Sequence, residues 1–103
     1  MELILKSEDS DDEDPFDTLA YVVGSRYRKM IVSDLSSGPS NPSKIAEEHD
    51  LHVPHVSRAL GELEDRDVVS AHGTGSRTRL YTLTDHGEVV AELLTEYEED
   101  HDD

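Results

Sequence analysis

The segment from residue 43 to residue 60 constrains the fold more than any other part of the chain. Asn41 followed by Pro42 is a helix start, and Ile45 and Ala46 supply a short apolar face. Leu51 closes a turn, and a second helix opens at Pro54 and runs over about 53–66. The apolar residues of this second helix follow the i, i+3, i+4, i+7 spacing of one buried face: Val56, Ala59, Leu60 and Leu63.

A glycine-rich hairpin follows within about a dozen residues. Residues 68–72 and 78–83 read as two strands, and the tip at 73–79 holds glycine and arginine. Before the paired helices, one helix face includes Leu19 and Val22, and Ser25 caps a second helix. Thr84 caps a last helix at about 85–99, whose apolar side comprises Val89, Val90, Leu93, Leu94 and Tyr97. The pattern predicts a mainly α fold with a small β-wing: a winged helix-turn-helix with a three-helix core, a two-stranded hairpin and a C-terminal helix.

The net charge of −16 is unevenly distributed. Residues 1–17 carry a net charge of −7 and residues 85–103 a net charge of −9, so the net charge of residues 18–84 is zero. Acidity of this kind suits either a DNA mimic or a partner of basic proteins. It also suits a hypersaline cytoplasm, where a Debye length of about 3 Å screens self-repulsion. We favour the halophilic interpretation, in which the acidity is an adaptation.

Composition excludes several other classes. The 103 residues suit one domain, and the sequence has neither an apolar run of membrane-spanning length nor a signal peptide, so we expect a cytoplasmic protein. The absence of cysteine removes disulfides and thiolate chemistry. No phosphate-binding loop or nucleophile elbow is present, and we expect no enzymatic activity and no cofactor. His52 and His55 lie three apart but have no matching histidine pair, so we expect no metal site.

The polar residues of the helix pair and of the hairpin suit duplex DNA. The first residues of a helix in the major groove reach base edges, and arginine can bind guanine bidentately. A lysine near a helix start and the helix N-termini suit phosphate, and the hairpin can follow the backbone or enter the minor groove. The predicted DNA-binding residues are Lys44, His52, Pro54, His55, Ser57, Arg58, Thr74, Ser76, Arg77 and Arg79.

Residues 16–94 resemble archaeal winged helix-turn-helix transcriptional regulators of the broad MarR/ArsR type. The matching segments are 25–31, 42–46, 51–60, 63–69 and 81–87, with the Val-Ser-Arg-Ala-Leu sequence of 56–60 and the Leu-Thr-x-x-Gly sequence of 83–87. The resemblance implies a homodimer that binds near-palindromic promoter sites on double-stranded DNA. His52 departs from the family, which often has serine at this helix cap, so His52 either caps poorly or contacts DNA.

We therefore expect an acidic flexible arm at 1–15, a winged-helix DNA-binding domain at 16–84, and a C-terminal helix with an acidic tail at 85–103. The chain lacks the longer C-terminal helices of MarR proteins, so dimerisation through 85–99 or 16–24 is inferred; the apolar face of 85–99 would otherwise pack on its own domain. The predicted function is sequence-specific regulation of transcription. The alternative is a winged-helix module that binds proteins or mimics DNA and does not itself bind DNA.

Overall fold

The computed structural model describes residues 14–73 and 79–100. Five helices and one hairpin follow in the order α1 (Pro15–Val23), α2 (Arg26–Leu35), α3 (Pro42–His49), α4 (Val53–Asp65), β1 (Val69–His72), β2 (Leu80–Leu83) and α5 (Asp85–Asp100). This mainly helical architecture with an antiparallel hairpin confirms the predicted fold class. The interpretations of residues 1–13, of the hairpin tip at 74–78 and of residues 101–103 lie outside the described residues.

Local capping sets where the helices begin. The Oδ1 atom of Asn41 accepts a hydrogen bond from the Lys44 amide at 2.8 Å, and the Ser25 Oγ accepts from the Arg28 amide at 3.2 Å. Asp14 caps α1 in the same way, with Pro15 in its first turn. Asp14 and Pro15 therefore belong to the first helix and not to the predicted arm.

The turn between α3 and α4 is closed by backbone geometry. Asp50 adopts the left-handed conformation, with φ 56° and ψ 51°, and ends α3. The next amide, that of Leu51, donates to the Ala46 carbonyl at 2.8 Å, and the Leu51 side chain packs against the core. The helix that follows begins at Val53 and ends at Asp65, which agrees with the predicted range of about 53–66.

The core lies where α1, α2 and α5 meet α3, α4 and the hairpin. The predicted stripe of α4 is confirmed, because Val56, Ala59, Leu60 and Leu63 are all buried. The remaining buried apolar residues come from every other element: Val22, Ile31, Val32, Leu35, Ile45, Ala46, Val68, Val69, Tyr81, Val90, Ala91 and Leu94.

The hairpin is shorter than predicted and has an additional partner. Val69 pairs with Leu83 and His72 with Leu80, so the strands span 69–72 and 80–83. The backbone of Ser40 also bridges to Tyr81, with reciprocal hydrogen bonds of 3.2 and 2.8 Å. This bridge connects the loop before α3 to the hairpin.

The last helix packs on its own domain. Its cap is as predicted, since the Gly87 amide donates to the Thr84 Oγ at 2.9 Å. The predicted apolar face is wrong in one position, because Val89 is 45% exposed while Ala91 is buried. The buried face of α5 is the one that packs against α1, and it differs from the predicted face at these two positions. At the contact between the two helices, the Thr18 Oγ and the His86 Nε2 lie 2.9 Å apart. No helix in the described ranges is both long and apolar enough to span a membrane.

Candidate nucleic-acid interface

The first half of α4 presents an exposed polar surface on the side away from the core. Since Val56, Ala59 and Leu60 face inward, the intervening positions face outward. The predicted residues of this helix and its neighbours that are exposed are Lys44, His52, Pro54, His55, Ser57 and Arg58. The structure thus brings together on α4 the four predicted residues 54, 55, 57 and 58.

The histidine rings at the start of α4 are held by aromatic contacts. His55 stacks on Tyr27 of α2, with ring centroids 5.8 Å apart and planes inclined by 16°. His52 lies edge-on to His55, also at 5.8 Å. His52 occupies the N-cap position without a side-chain capping bond to the described residues, which agrees with the expectation of a weak cap. The His52 side chain is therefore not used by the helix start.

A partly buried arginine of α2, Arg28, pairs with Glu62, the acid next to Arg58. Arg28 has a side chain only 16% exposed, and its Nη1 lies 3.0 Å from the Glu62 Oε1. Its Nε donates to the Tyr21 carbonyl at 2.9 Å, and its guanidinium lies 3.8 Å from the Tyr21 ring centroid. Glu62 is thus partly covered and paired.

Arg58 is held only loosely by the same acid. Its Nε lies 3.9 Å from the Glu62 Oε2, and its side chain is 78% exposed. An exposed pair at this distance contributes little to stability, so Arg58 can leave Glu62 at small cost. The geometry leaves this guanidinium available to an external acceptor.

The hairpin starts directly beyond α4. The Val68 amide donates to the Leu63 carbonyl at 2.9 Å, which turns the chain from the end of α4 into β1. Arg79 is exposed at the start of β2. The other predicted hairpin residues, Thr74, Ser76 and Arg77, lie outside the described part of the chain.

The exposed surface of the first half of α4 and of the hairpin contains little acid, as do residues 18–33 and 35–46. Residues 51–61 and 68–84 contain no aspartate or glutamate, although 25 of the 103 residues are acidic. These ranges cover the first half of α4 and both strands of the hairpin. The acids are concentrated at the two ends of the chain, and the net charge of −16 does not describe the residues between them.

Sequence reasoning missed one cluster with metal-ligating side chains. The His49 Nε2 lies 2.9 Å from the Asp34 Oδ2, and one ligating atom each of Asp34, Glu48 and His49 lie within 4.8 Å of one another. Asp34 and Glu48 also line an open cleft of about 230 Å³. The His49–Asp34 contact joins α3 to α2, and this hydrogen-bonding role between helices accounts for it without a metal. Residues 15 positions apart give no periodic signal in the sequence.

Solved structures with similar folds are winged-helix proteins. A double variant of ZitR from Lactococcus lactis has a TM-score of 0.68 at 23% identity, covering 74% of this chain and 53% of that one. A single variant of ZitR in complex with DNA has a TM-score of 0.65 at 23% identity, again covering 74% and 53%. The adhesin competence repressor AdcR from Streptococcus pyogenes has a TM-score of 0.67 at 15% identity, covering 98% of this chain and 76% of its own.

These similarities establish the fold. ZitR is described as a zinc-responsive MarR family member, and the present chain spans about half the length of the ZitR chains that it matches. No curated protein matches the sequence. The family model that does match covers residues 16–103, which include every described element from Phe16 onward. The chain therefore belongs to the family described as the HVO_A0261 N-terminal domain.

Proposed function

We propose that this chain is a sequence-specific regulator of transcription that binds double-stranded DNA with α4 in the major groove. The observation that carries the proposal is the exposed, acid-free first half of α4, which presents His55, Ser57 and Arg58 away from the core. An α-helix fits the major groove, and its N-terminal residues reach base edges. The described complex of a ZitR variant with DNA supports this use of the fold.

Each exposed residue has a role that follows from its chemistry. Arg58 is loosely paired and binds a guanine edge through two donors. His52, His55 and Ser57 donate to bases or to phosphate, and Lys44 neutralises phosphate near the start of α3. Arg79 contacts the sugar–phosphate backbone of the DNA or enters its minor groove, together with the predicted residues of the hairpin tip, Thr74, Ser76 and Arg77.

Two copies of the chain would read two half-sites. Exposed apolar side chains remain on the two helices predicted for dimerisation, since Phe16 of α1 is 66% exposed and Val89 of α5 is 45% exposed. The core already uses the Val90 and Leu94 side of α5, so a dimer contact would use the exposed side chains of Phe16 and Val89. Sedimentation of the parent and of a Phe16→Ser, Val89→Ser double variant tests this: the parent should be a dimer and the variant a monomer.

A protein-binding or DNA-mimic module is the second candidate, and the net −9 of residues 85–103 favours it. Selection from random-sequence duplex DNA at molar KCl separates the two functions. The first predicts an enriched sequence whose binding is lost in a His55→Ala, Arg58→Ala variant. A matched double variant of two exposed α5 acids, Glu92→Ala and Glu96→Ala, should bind like the parent. Failure to enrich any sequence would refute the proposal.

A further inference from the structure

Gly61 is a glycine inside α4, and the described residues give no structural reason for it. It lies in the interior of the helix, where glycine lowers stability relative to alanine because its backbone loses more freedom on folding. A Cβ atom built on Gly61 would meet no heavy atom of the described residues within 4 Å. Alanine would therefore fit at this position and would suit the helix better.

Three of the other described glycines, Gly38, Gly73 and Gly87, have local explanations. Gly38 and Gly73 adopt positive φ angles of 143° and 113°, which disfavour other residues. A Cβ on Gly87 would lie 2.0 Å from the Val68 carbonyl oxygen. Gly24 is the C-cap of α1, and a Cβ there would make ordinary contacts of 3.4 Å with the Arg28 guanidinium and the Tyr21 carbonyl oxygen. Gly61 has neither a positive φ nor a heavy atom of residues 14–73 or 79–100 within 4 Å of its Cβ, so the described part of the chain supplies no reason for a glycine here.

Gly61 shares a face with the proposed DNA-binding residues. It follows Pro54, Ser57 and Arg58 by seven, four and three positions, and these spacings place residues on one side of a helix. All three of these residues are exposed. The surface at Gly61 is therefore continuous with the proposed interface and points away from the core.

The position along the helix fits the width of the groove. Gly61 lies eight residues beyond Val53, and a rise of about 1.5 Å per residue puts it about 12 Å along the axis. The major groove is also about 12 Å wide. A helix that crosses the groove with its first turn beside one sugar–phosphate strand thus reaches the opposite strand near Gly61.

The charges around Gly61 agree with such a contact. The adjacent acid, Glu62, is neutralised by the Arg28 guanidinium at 3.0 Å. The two other acids of α4, Glu64 and Asp65, are exposed, but they lie in the last turn of the helix, beyond Gly61. Phosphate would meet no uncompensated carboxylate up to this point of the helix.

We infer that Gly61 is where the helix backbone passes against the sugar–phosphate wall of the major groove, and that the missing side chain permits this close approach. The inference rests on the proposed function and deepens it, since it fixes how far α4 enters the groove. A side chain at Gly61 would hold the helix away from the DNA and weaken the contacts of Arg58.

The test measures stability and DNA affinity in the same variants. Gly61→Ala should raise the melting temperature by about 4 °C, because alanine favours the helix and has room. The same variant should bind the selected duplex about tenfold more weakly, and Gly61→Gln more weakly still. Ser33→Ala, at an exposed position of α2, is the matched control and should leave affinity unchanged.

The outcomes separate this inference from the proposed function. If the parent binds DNA and both Gly61 variants bind equally well, the inference is wrong and the function stands. A Gly61→Ala variant that melts below the parent would also overturn it, because the space around the Cβ would not be free. If the parent selects no duplex, the proposed function fails and the inference fails with it.

Discussion

Gly87→Ala should be severely destabilising, because the close approach at this glycine involves backbone and not a flexible side chain. The added Cβ would lie 2.0 Å from the Val68 carbonyl oxygen, 3.0 Å from its carbon and 3.3 Å from the Leu83 Cδ2. The same Val68 oxygen accepts a hydrogen bond from the Thr84 amide at 3.0 Å. To restore an ordinary contact near 3.4 Å, α5 and the start of the hairpin must separate by more than 1 Å.

The magnitude follows from three effects. Overpacking of a tight contact costs about 1–3 kcal/mol. Movement of the Val68 carbonyl weakens its hydrogen bond with Thr84, which costs about 1 kcal/mol more. Alanine has a higher helix propensity than glycine, and this offsets less than about 1 kcal/mol of the loss near the start of α5. We expect a net loss of about 2–3 kcal/mol, which lowers the melting temperature of a domain of this size by about 15 °C.

Thermal and urea unfolding followed by circular dichroism measure this loss. Gly61→Ala is the matched control, because the same atoms are added to another helical glycine where a Cβ meets no described atom within 4 Å. The two variants should change stability in opposite directions. A Gly87→Ala protein within about 0.5 kcal/mol of the parent would show that the junction of β1 and α5 yields easily, and would refute the reasoning.

Three further predictions concern the helix caps, the base contacts and the response to salt. Asn41→Ala removes the acceptor of the Lys44 amide and should cost about 1 kcal/mol in urea unfolding, whereas an unchanged midpoint would show the cap to be dispensable. Arg58→Ala should weaken binding to the best duplex by about 1–3 kcal/mol and relax specificity, while Arg79→Ala should weaken all duplexes similarly; fluorescence anisotropy with matched and mismatched duplexes distinguishes them. We expect a flat or positive slope of log affinity against log salt between about 0.5 and 3 M KCl, because the exposed acids Glu47 and Glu48 of α3 take up cations that bridge to phosphate on binding; a steep negative slope would contradict this.

Features that depend on neighbours in sequence were predictable. The buried stripe of α4, the Ser25 and Asn41 caps and the Thr84 cap all arise from spacings of three or four residues. Each is a local consequence of helix geometry, so it can be found without knowing the fold. The placement of the four candidate residues 54, 55, 57 and 58 on the exposed part of α4 followed for the same reason.

Features that join distant segments were not predictable. The Arg28–Glu62 pair spans 34 positions and the His49–Asp34 pair spans 15, and neither has a periodic signature. The exposure of Val89 was also missed, because the apolar residues of α5 outnumber those that the rest of the domain can cover. Which of them is buried depends on the angle at which α1 meets the helix.

The amino-acid sequence alone determined the order and type of the elements, since short-range spacing and capping decide whether a segment becomes helix or strand. It also determined that the acids avoid the first half of α4 and the hairpin. Only the tertiary structure decided that Glu62 is neutralised by Arg28, that His55 rests on Tyr27, and that Gly61 faces open space. These are properties of surfaces that meet in space, and they arise only when packing of the common core sets the angles between the helices.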